Sequence, residues 1–205
     1  MSNRAEGRRK VVITGMGLVT PFGIGVEPYW QSVCEGRSGI SLITHFNPVG
    51  LPCRFGGYLK DGDPAMDLPL PGECVQEPRF VRFALAATQM AANESGWIDS
   101  LDLERLGVFM GTSGERPSLA HFAKIVYEAR GKNNEIDVHK FVRIWGARMG
   151  GVIQRFLPQY AAVRIAHELG ILGPVTTFNT ACTSSAHAIG EAMRAVQRGT
   201  VDLAI

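Results

Sequence analysis

The chain has 205 residues, of which 45% are apolar and 20% charged, and a formal net charge of +2. That length can bury a good core as one large domain or two small ones, and the balance is that of an ordinary soluble globular protein. So small a net charge gives no electrostatic argument for a nucleic-acid partner, and no stretch reaches the roughly 18 apolar residues that a membrane span needs.

The one local basic cluster, Arg8, Arg9 and Lys10, reads as a solvated leader ahead of an apolar run. No signal-peptide apolar segment follows it, so the expectation is a cytoplasmic protein with reduced thiols. Cys34, Cys53, Cys74 and Cys182 form no Cys-x-x-Cys pair, which argues against a structural zinc site and against a disulfide framework.

In chain order, Val11–Thr14 is a short β-branched run ending in Gly15-Met16-Gly17, the pattern of a buried strand entering a tight turn. Pro28 suits a first helical turn, Tyr29, Trp30, Val33 and Cys34 supply a face, and Gly36 ends that helix. Residues 38–77 are rich in proline and glycine and read as irregular surface chain. From Pro78 to Gly96 a helix is predicted, with Val81, Leu85, Thr88 and Ala92 at spacings of four, three and four. Leu106–Met110 reads as a second buried strand, Leu119–Ala129 as a helix and Gly131–Asp137 as a polar turn. Phe141–Pro158, with Arg143, Arg148 and Arg155 among aromatics and glycines, is assigned loop with short helical turns. A compact helix follows over Tyr160–Leu169, then a strand over Val175–Thr180, a helix from Cys182 to Arg198 ended by Gly199, and a strand opening at Val201–Ile205. Such alternation argues for an α/β fold with its sheet covered on both faces.

The chemistry concentrates in Asn179-Thr180-Ala181-Cys182-Thr183-Ser184-Ser185. Cys182, Ala186, Ile189, Met193 and Val196 fall at helical spacing, which predicts an inward stripe with Cys182 in its first turn and Thr180 as N-cap. Unpaired amides at a helix amino terminus favour an anion, hence thiolate over thiol. A strand turning sharply into a helix also presents its first side chain to a cavity, as a nucleophile elbow does. By position alone two readings stay open, a nucleophile and a small core residue.

The Thr-Ala-Cys-Thr-Ser-Ser segment, preceded by Gly-Pro-Val-Thr-Thr-Phe-Asn, resembles the active-site segment of the elongating β-ketoacyl-acyl-carrier-protein synthases. The opening Val11–Gly17, then Gly36-Arg37-Ser38-Gly39-Ile40, Leu106–Thr112 and Tyr160–Pro174 are similar to further segments of that family in the same order. Within it the chain looks closest to type II condensing enzymes of bacterial fatty-acid synthesis.

The resemblance implies a thiolase-like α/β fold, the amino-terminal half of a layered αβαβα condensing enzyme with a mixed, mainly parallel sheet. Residues 1–205 would be one amino-terminal ketoacyl synthase domain, truncated at its carboxyl end. It implies that Cys182 is the acylated nucleophile, that acyl carrier protein in its acyl and malonyl forms is the partner, and that a homodimer forms through Val175–Thr180. It implies no metal or redox cofactor. The family's two catalytic histidines and its lysine belong to the second half, so no residue here takes those roles. His187 stands five residues after Cys182, turned by roughly 140° on an ideal helix and so off its face. His45, His121, His139 and His167 have no motif around them.

Two departures concern the acyl pocket. Gly114-Glu115-Arg116-Pro117 brings charge and proline where the family has small apolar residues, so Glu115 and Arg116 are expected at the pocket edge. The long helix opens Pro78-Arg79-Phe80 in place of a Met-Asp pair. Three other readings compete. A dinucleotide-binding turn at Gly15-Met16-Gly17 lacks its third glycine, and Pro21 stops a helix from starting there. A non-catalytic partner subunit of the same fold would typically lack the cysteine. A coenzyme-A-using thiolase-like acyltransferase has different residues around its nucleophile.

Overall fold

The structure is a computed structural model that describes residues 9–59, 77–96, 102–115, 118–131 and 133–205. Its centre is a three-stranded parallel sheet of β5 (Leu106–Gly111), β6 (Val175–Phe178) and β7 (Leu203–Ala204), in the order β6-β5-β7. The connection from β5 to β6 and the one from β6 to β7 run in opposite directions across the sheet. Right-handed crossovers therefore put their helices, α5 (Gln159–Glu168) and α6 (Ser184–Gln197), on opposite faces.

Alternation along β5 serves both faces. Leu106 and Val108 are buried in a cluster with Val81, Leu85 and Ala92 of α2 (Arg79–Ser95) and Ala161, Ala162 and Ile165 of α5. Alanines at the contact let α5 lie close to the sheet, and each fully buried Leu, Ile or Val contributes roughly 1.5–3 kcal/mol. α2 begins after Pro78 and stops at Gly96, whose φ of 67° is the left-handed conformation that glycine adopts without penalty. All four residues of its predicted stripe, Val81, Leu85, Thr88 and Ala92, are buried. Tyr160 donates to Glu77 over 3.1 Å and Arg164 pairs with the same carboxylate, tying α5 to the start of α2. Burial, and then the Glu77 charge, push the Tyr160 phenol above its usual range.

The remaining elements surround this unit. Two antiparallel ribbons, β1 (Val19–Thr20) with β2 (Gly23–Ile24) and β3 (Ile40–Leu42) with β4 (Phe55–Gly57), flank α1 (Val26–Cys34) in sequence. α3 (Leu119–Glu128) and α4 (Val138–Met149) form a hairpin whose Phe122, Phe141 and Trp145 rings pack together.

Four expectations are corrected. Val11–Thr14 forms no strand: Val12 and Ile13 are exposed, and the chain runs across α2 instead of pairing with a neighbour strand. Gly15 and Gly17 sit so close to the carbonyls of Ala91 and Ala87 that a Cβ would collide with them. Residues 138–149, read in part as loop, are one helix, because Asp137 caps it by accepting from the Lys140 amide. The loop expected over 38–77 contains the β3–β4 ribbon in its described part. On α1 the predicted face points outward: Tyr29, Trp30 and Val33 are exposed and Ser32 is the buried residue.

Candidate active site

β5 and β6 end side by side, where the amide of Thr112 donates to the carbonyl of Phe178 over 3.1 Å. Beyond β6 the chain turns through Asn179 and Thr180 into a short 3-10 turn, Ala181–Thr183, and only then into α6. Cys182 therefore lies in the tight turn ahead of the helix, not in the first turn of the helix as expected. It is exposed, at the carboxyl ends of the parallel strands, where open α/β sheets place their ligands.

Two features make the turn sharp. Ala181 has a φ of 53°, a left-handed conformation that residues with a Cβ seldom adopt. Gly111, the last residue of β5, lies against the backbone of Ser184 and Ser185, leaving no room for a Cβ. The missing side chain is what lets the first turn of α6 reach the strand end.

Hydrogen bonds close the turn on itself. The Thr180 amide donates to Ser184 Oγ at 2.8 Å, and that hydroxyl donates to the Ala181 carbonyl at 2.7 Å. Thr183 Oγ1 donates to the Thr180 carbonyl at 2.8 Å. Thr180 Oγ1 in turn lies 3.0 Å from His187 Nδ1. Thr180 accordingly acts through its backbone and hydroxyl; its side chain makes no N-cap bond, and neither does that of Thr183 ahead of α6.

The inward stripe predicted for α6 is corrected. Cys182, Ala186, Ile189 and Met193 are exposed and Val196 is half-buried, while Ser184, Ala188 and Ala195 face the sheet. The helix has apolar residues on two sides, and the side with the smallest ones takes the sheet because it permits the closest approach. Ile189 is 70% exposed, so the other side forms an open apolar surface continuous in sequence with Cys182.

Of the other cysteines, Cys34 and Cys53 are exposed and lie outside the turn, and Cys74 lies outside the described residues. Glu115 Oε2 accepts from the Phe80 amide at 3.4 Å, so its carboxylate caps the start of α2, and Arg116 lies outside the described residues. His45 lies against Tyr58 with the two rings tilted, His121 bonds Ser118 and His167 contacts Arg164. The contact of His187 with Thr180 is not legible in the sequence, where its angle from Cys182 is that of one continuous helix. The 3-10 turn voids that reckoning, and a helical side chain leans toward the amino terminus, where Thr180 stands. Among the described residues no cluster of His, Cys, Asp and Glu could hold a metal ion, and no helix is long and apolar enough to cross a membrane.

Comparison with known proteins places this arrangement. Residues 8–205 match the family model described as "Beta-ketoacyl synthase, N-terminal domain". A 3-oxoacyl-[acyl-carrier-protein] synthase 2 of Synechocystis sp. is 33% identical over 193 residues, covering 94% of this chain and 43% of the relative. A putative polyketide beta-ketoacyl synthase 1 of Streptomyces cyaneus is 34% identical over 200 residues, covering 96% and 45%. The chain thus spans under half the length of these relatives. Among solved structures, the ishigamide ketosynthase/chain length factor superposes with a TM-score of 0.68 at 26% identity, over 96% of this chain and 46% of that one. A type II polyketide acyl-carrier protein in complex with its ketosynthase gives a TM-score of 0.60 at 18% identity, over 95% and 49%. The fold is the thiolase-like α/β fold of ketosynthases. The chain belongs to the β-ketoacyl synthase family and corresponds to the amino-terminal domain of its members.

Proposed function

We propose that this chain is the acyl-accepting half of a β-ketoacyl-acyl-carrier-protein synthase and that Cys182 carries the growing chain as a thioester. The observation that carries the reading is the exposed Cys182 on a tight turn between β6 and α6, at the carboxyl ends of the sheet. The Cys182 sulfur attacks the carbonyl of an acyl thioester, and the carrier-protein thiol leaves. Malonyl-carrier protein then loses carbon dioxide, and its carbanion attacks the enzyme thioester. A carbon–carbon bond forms, the Cys182 sulfur departs as thiolate, and the chain is two carbons longer. The Cys182 amide supplies one donor to the oxyanion of each addition step.

The partner in this reading is acyl carrier protein, as in the ketosynthase complex that superposes on this chain. Residues 1–205 act as a single domain, and the remaining catalytic groups come from the part of the relatives that this chain does not span. The exposed Ala186, Ile189 and Met193 side of α6 is the surface that part would cover. A homodimer forms through Val175–Thr180; β6 is an edge strand, with Val175 40% exposed. The cytoplasm is the compartment for this chemistry, in fatty-acid or polyketide synthesis.

The test uses the full-length protein containing these residues. Incubation with acyl-carrier-protein donor, compared with acyl-coenzyme A, should add the acyl mass to Cys182 first and faster from the carrier protein. Cys182→Ala should abolish the adduct and elongation while the protein stays folded, and Cys182→Ser should be nearly inactive. An acyl group mapped to another residue, or near-normal elongation by the alanine variant, overturns the proposal.

A further inference from the structure

Among the described residues, one side-chain hydrogen bond to the turn that presents Cys182 comes from outside residues 180–184. It is the 3.0 Å approach of Thr180 Oγ1 and His187 Nδ1, which links the turn to the second turn of α6. Thr183 Oγ1 has one proton and two acceptors near it, the Thr180 carbonyl at 2.8 Å and Thr180 Oγ1 at 3.0 Å; the shorter contact takes the larger share. The Thr180 hydroxyl has its own proton to give, and an unprotonated imidazole Nδ1 is an acceptor within reach of it. In that direction the imidazole is the tautomer with its proton on Nε2. The Phe178 ring stands edge-on to the imidazole, with centroids 6.4 Å apart.

The turn needs such an anchor. Ala181 is held in the left-handed region, from which a residue with a Cβ relaxes unless its neighbours over-determine it. Thr180, immediately before it, is bonded through its amide, its carbonyl and its hydroxyl. The amide bond ties it to Ser184, the first residue of α6, and the hydroxyl bond ties it to His187 further along the same helix.

We infer that His187 is a positioning residue: by accepting the Thr180 hydroxyl proton through Nδ1 it locks the left-handed turn at Ala181 and so fixes where the Cys182 sulfur meets its acyl donor. The inference rests on the reading of Cys182 as the acylated residue, and it concerns the geometry of that sulfur rather than its identity. His187 touches no reacting atom in this role.

The experiment measures single-turnover acyl transfer to Cys182 from acyl-carrier protein in the full-length protein, with thermal unfolding of each variant recorded alongside. His187→Asn places an amide group near the Nδ1 position, whereas His187→Gln places it near Nε2. The Asn variant should keep most of the rate. His187→Gln, His187→Ala and Thr180→Val should each lose about fivefold to tenfold, the usual effect of one hydrogen bond. The Thr180→Val/His187→Ala double variant should lose no more than either single one, because both remove the same bond. Nitrogen-15 spectra of histidine-labelled protein should show His187 with an unprotonated Nδ1, and Thr180→Val should remove that preference. Equal rates for the Asn and Gln variants, additive losses in the double variant, or a protonated Nδ1 overturn the inference. An adduct on a residue other than Cys182 in the unmodified protein overturns the underlying reading instead, and the two failures are read from different measurements.

Discussion

The backbone amide of Thr180 donates to the side chain of Ser184 at 2.8 Å, and the same hydroxyl passes its proton to the carbonyl of Ala181 at 2.7 Å. One small buried hydroxyl thus satisfies two backbone groups on either side of the bend that carries Cys182. Ser184→Ala should leave both without a partner and destabilise the protein by about 1–3 kcal/mol. Denaturant unfolding would register that loss, and acyl transfer to Cys182 should slow as well. A variant with unchanged midpoint and unchanged acyl transfer would show that the bend is held by other means.

Gly111 and Gly146 should respond oppositely to a methyl group. At Gly111 the added carbon would meet the backbone of Ser184 and Ser185, and rigid backbone on both sides cannot move aside cheaply. Gly111→Ala should cost about 1–3 kcal/mol and displace the start of α6, with acyl transfer falling more than stability alone would explain. Gly146 lies inside α4 with nothing near its would-be Cβ, so Gly146→Ala should stabilise by roughly 0.5–1 kcal/mol. Thermal midpoints moving in the same direction for both would contradict this packing.

Glu115 is expected to act on α2 rather than on the substrate. Its carboxylate meets the Phe80 amide at the positive end of a helix whose Pro78 boundary offers no side-chain cap. Glu115→Gly should therefore lower stability by about 0.3–1 kcal/mol and leave the acyl chain-length profile as it was. Broadened use of longer acyl donors, with no change in the unfolding midpoint, would return Glu115 to the edge of the acyl pocket.

Asp202 links the chain ends of the described unit, accepting from Arg105 and from Arg9. Hydrogen bonds from Arg105, then from Arg9, hold its carboxyl down at about 2, against 3.8 for the free group. A depressed folded value means that the stabilisation is fully present above the unfolded value and is lost as pH falls from near 4 through about 2. Stability curves of the unmodified protein and Asp202→Asn should accordingly lie apart at pH 5 and draw together toward pH 2. The group is well exposed, so added salt should narrow the gap. Parallel curves over that range would mean that the triad contributes nothing to folding.

The residues alone determine local structure where one signal stands uncontested. α2 carries a single apolar stripe between Pro78 and Gly96, and no competing face exists to confuse it. β5 is a short apolar run ended by Gly111, and the Cys182 segment is a run of seven residues whose order alone marked it as the place for chemistry. α4 was half lost because Gly146 and its arginines dilute the stripe, although Asp137, three residues before Lys140, was the cap that could have revealed it.

The rest depended on neighbours that a local pattern does not contain. Val11–Thr14 has strand-forming residues, yet a strand exists only where a partner backbone lies alongside, and here Gly15 and Gly17 lead the chain over α2 instead. α6 has two apolar sides of similar period, and periodicity cannot say which one a sheet will take. Close packing chose the side of Ser184, Ala188 and Ala195, turning Ile189, Met193 and Cys182 outward. The bend itself is likewise invisible in a local pattern: Ala181 is left-handed beside a Thr180 that is bonded to Ser184, Thr183 and His187. Sequence determined which residue types arrive at the end of β6; the tertiary contacts decided which way they face, because a side chain's direction is set by the surface that packs against its neighbours.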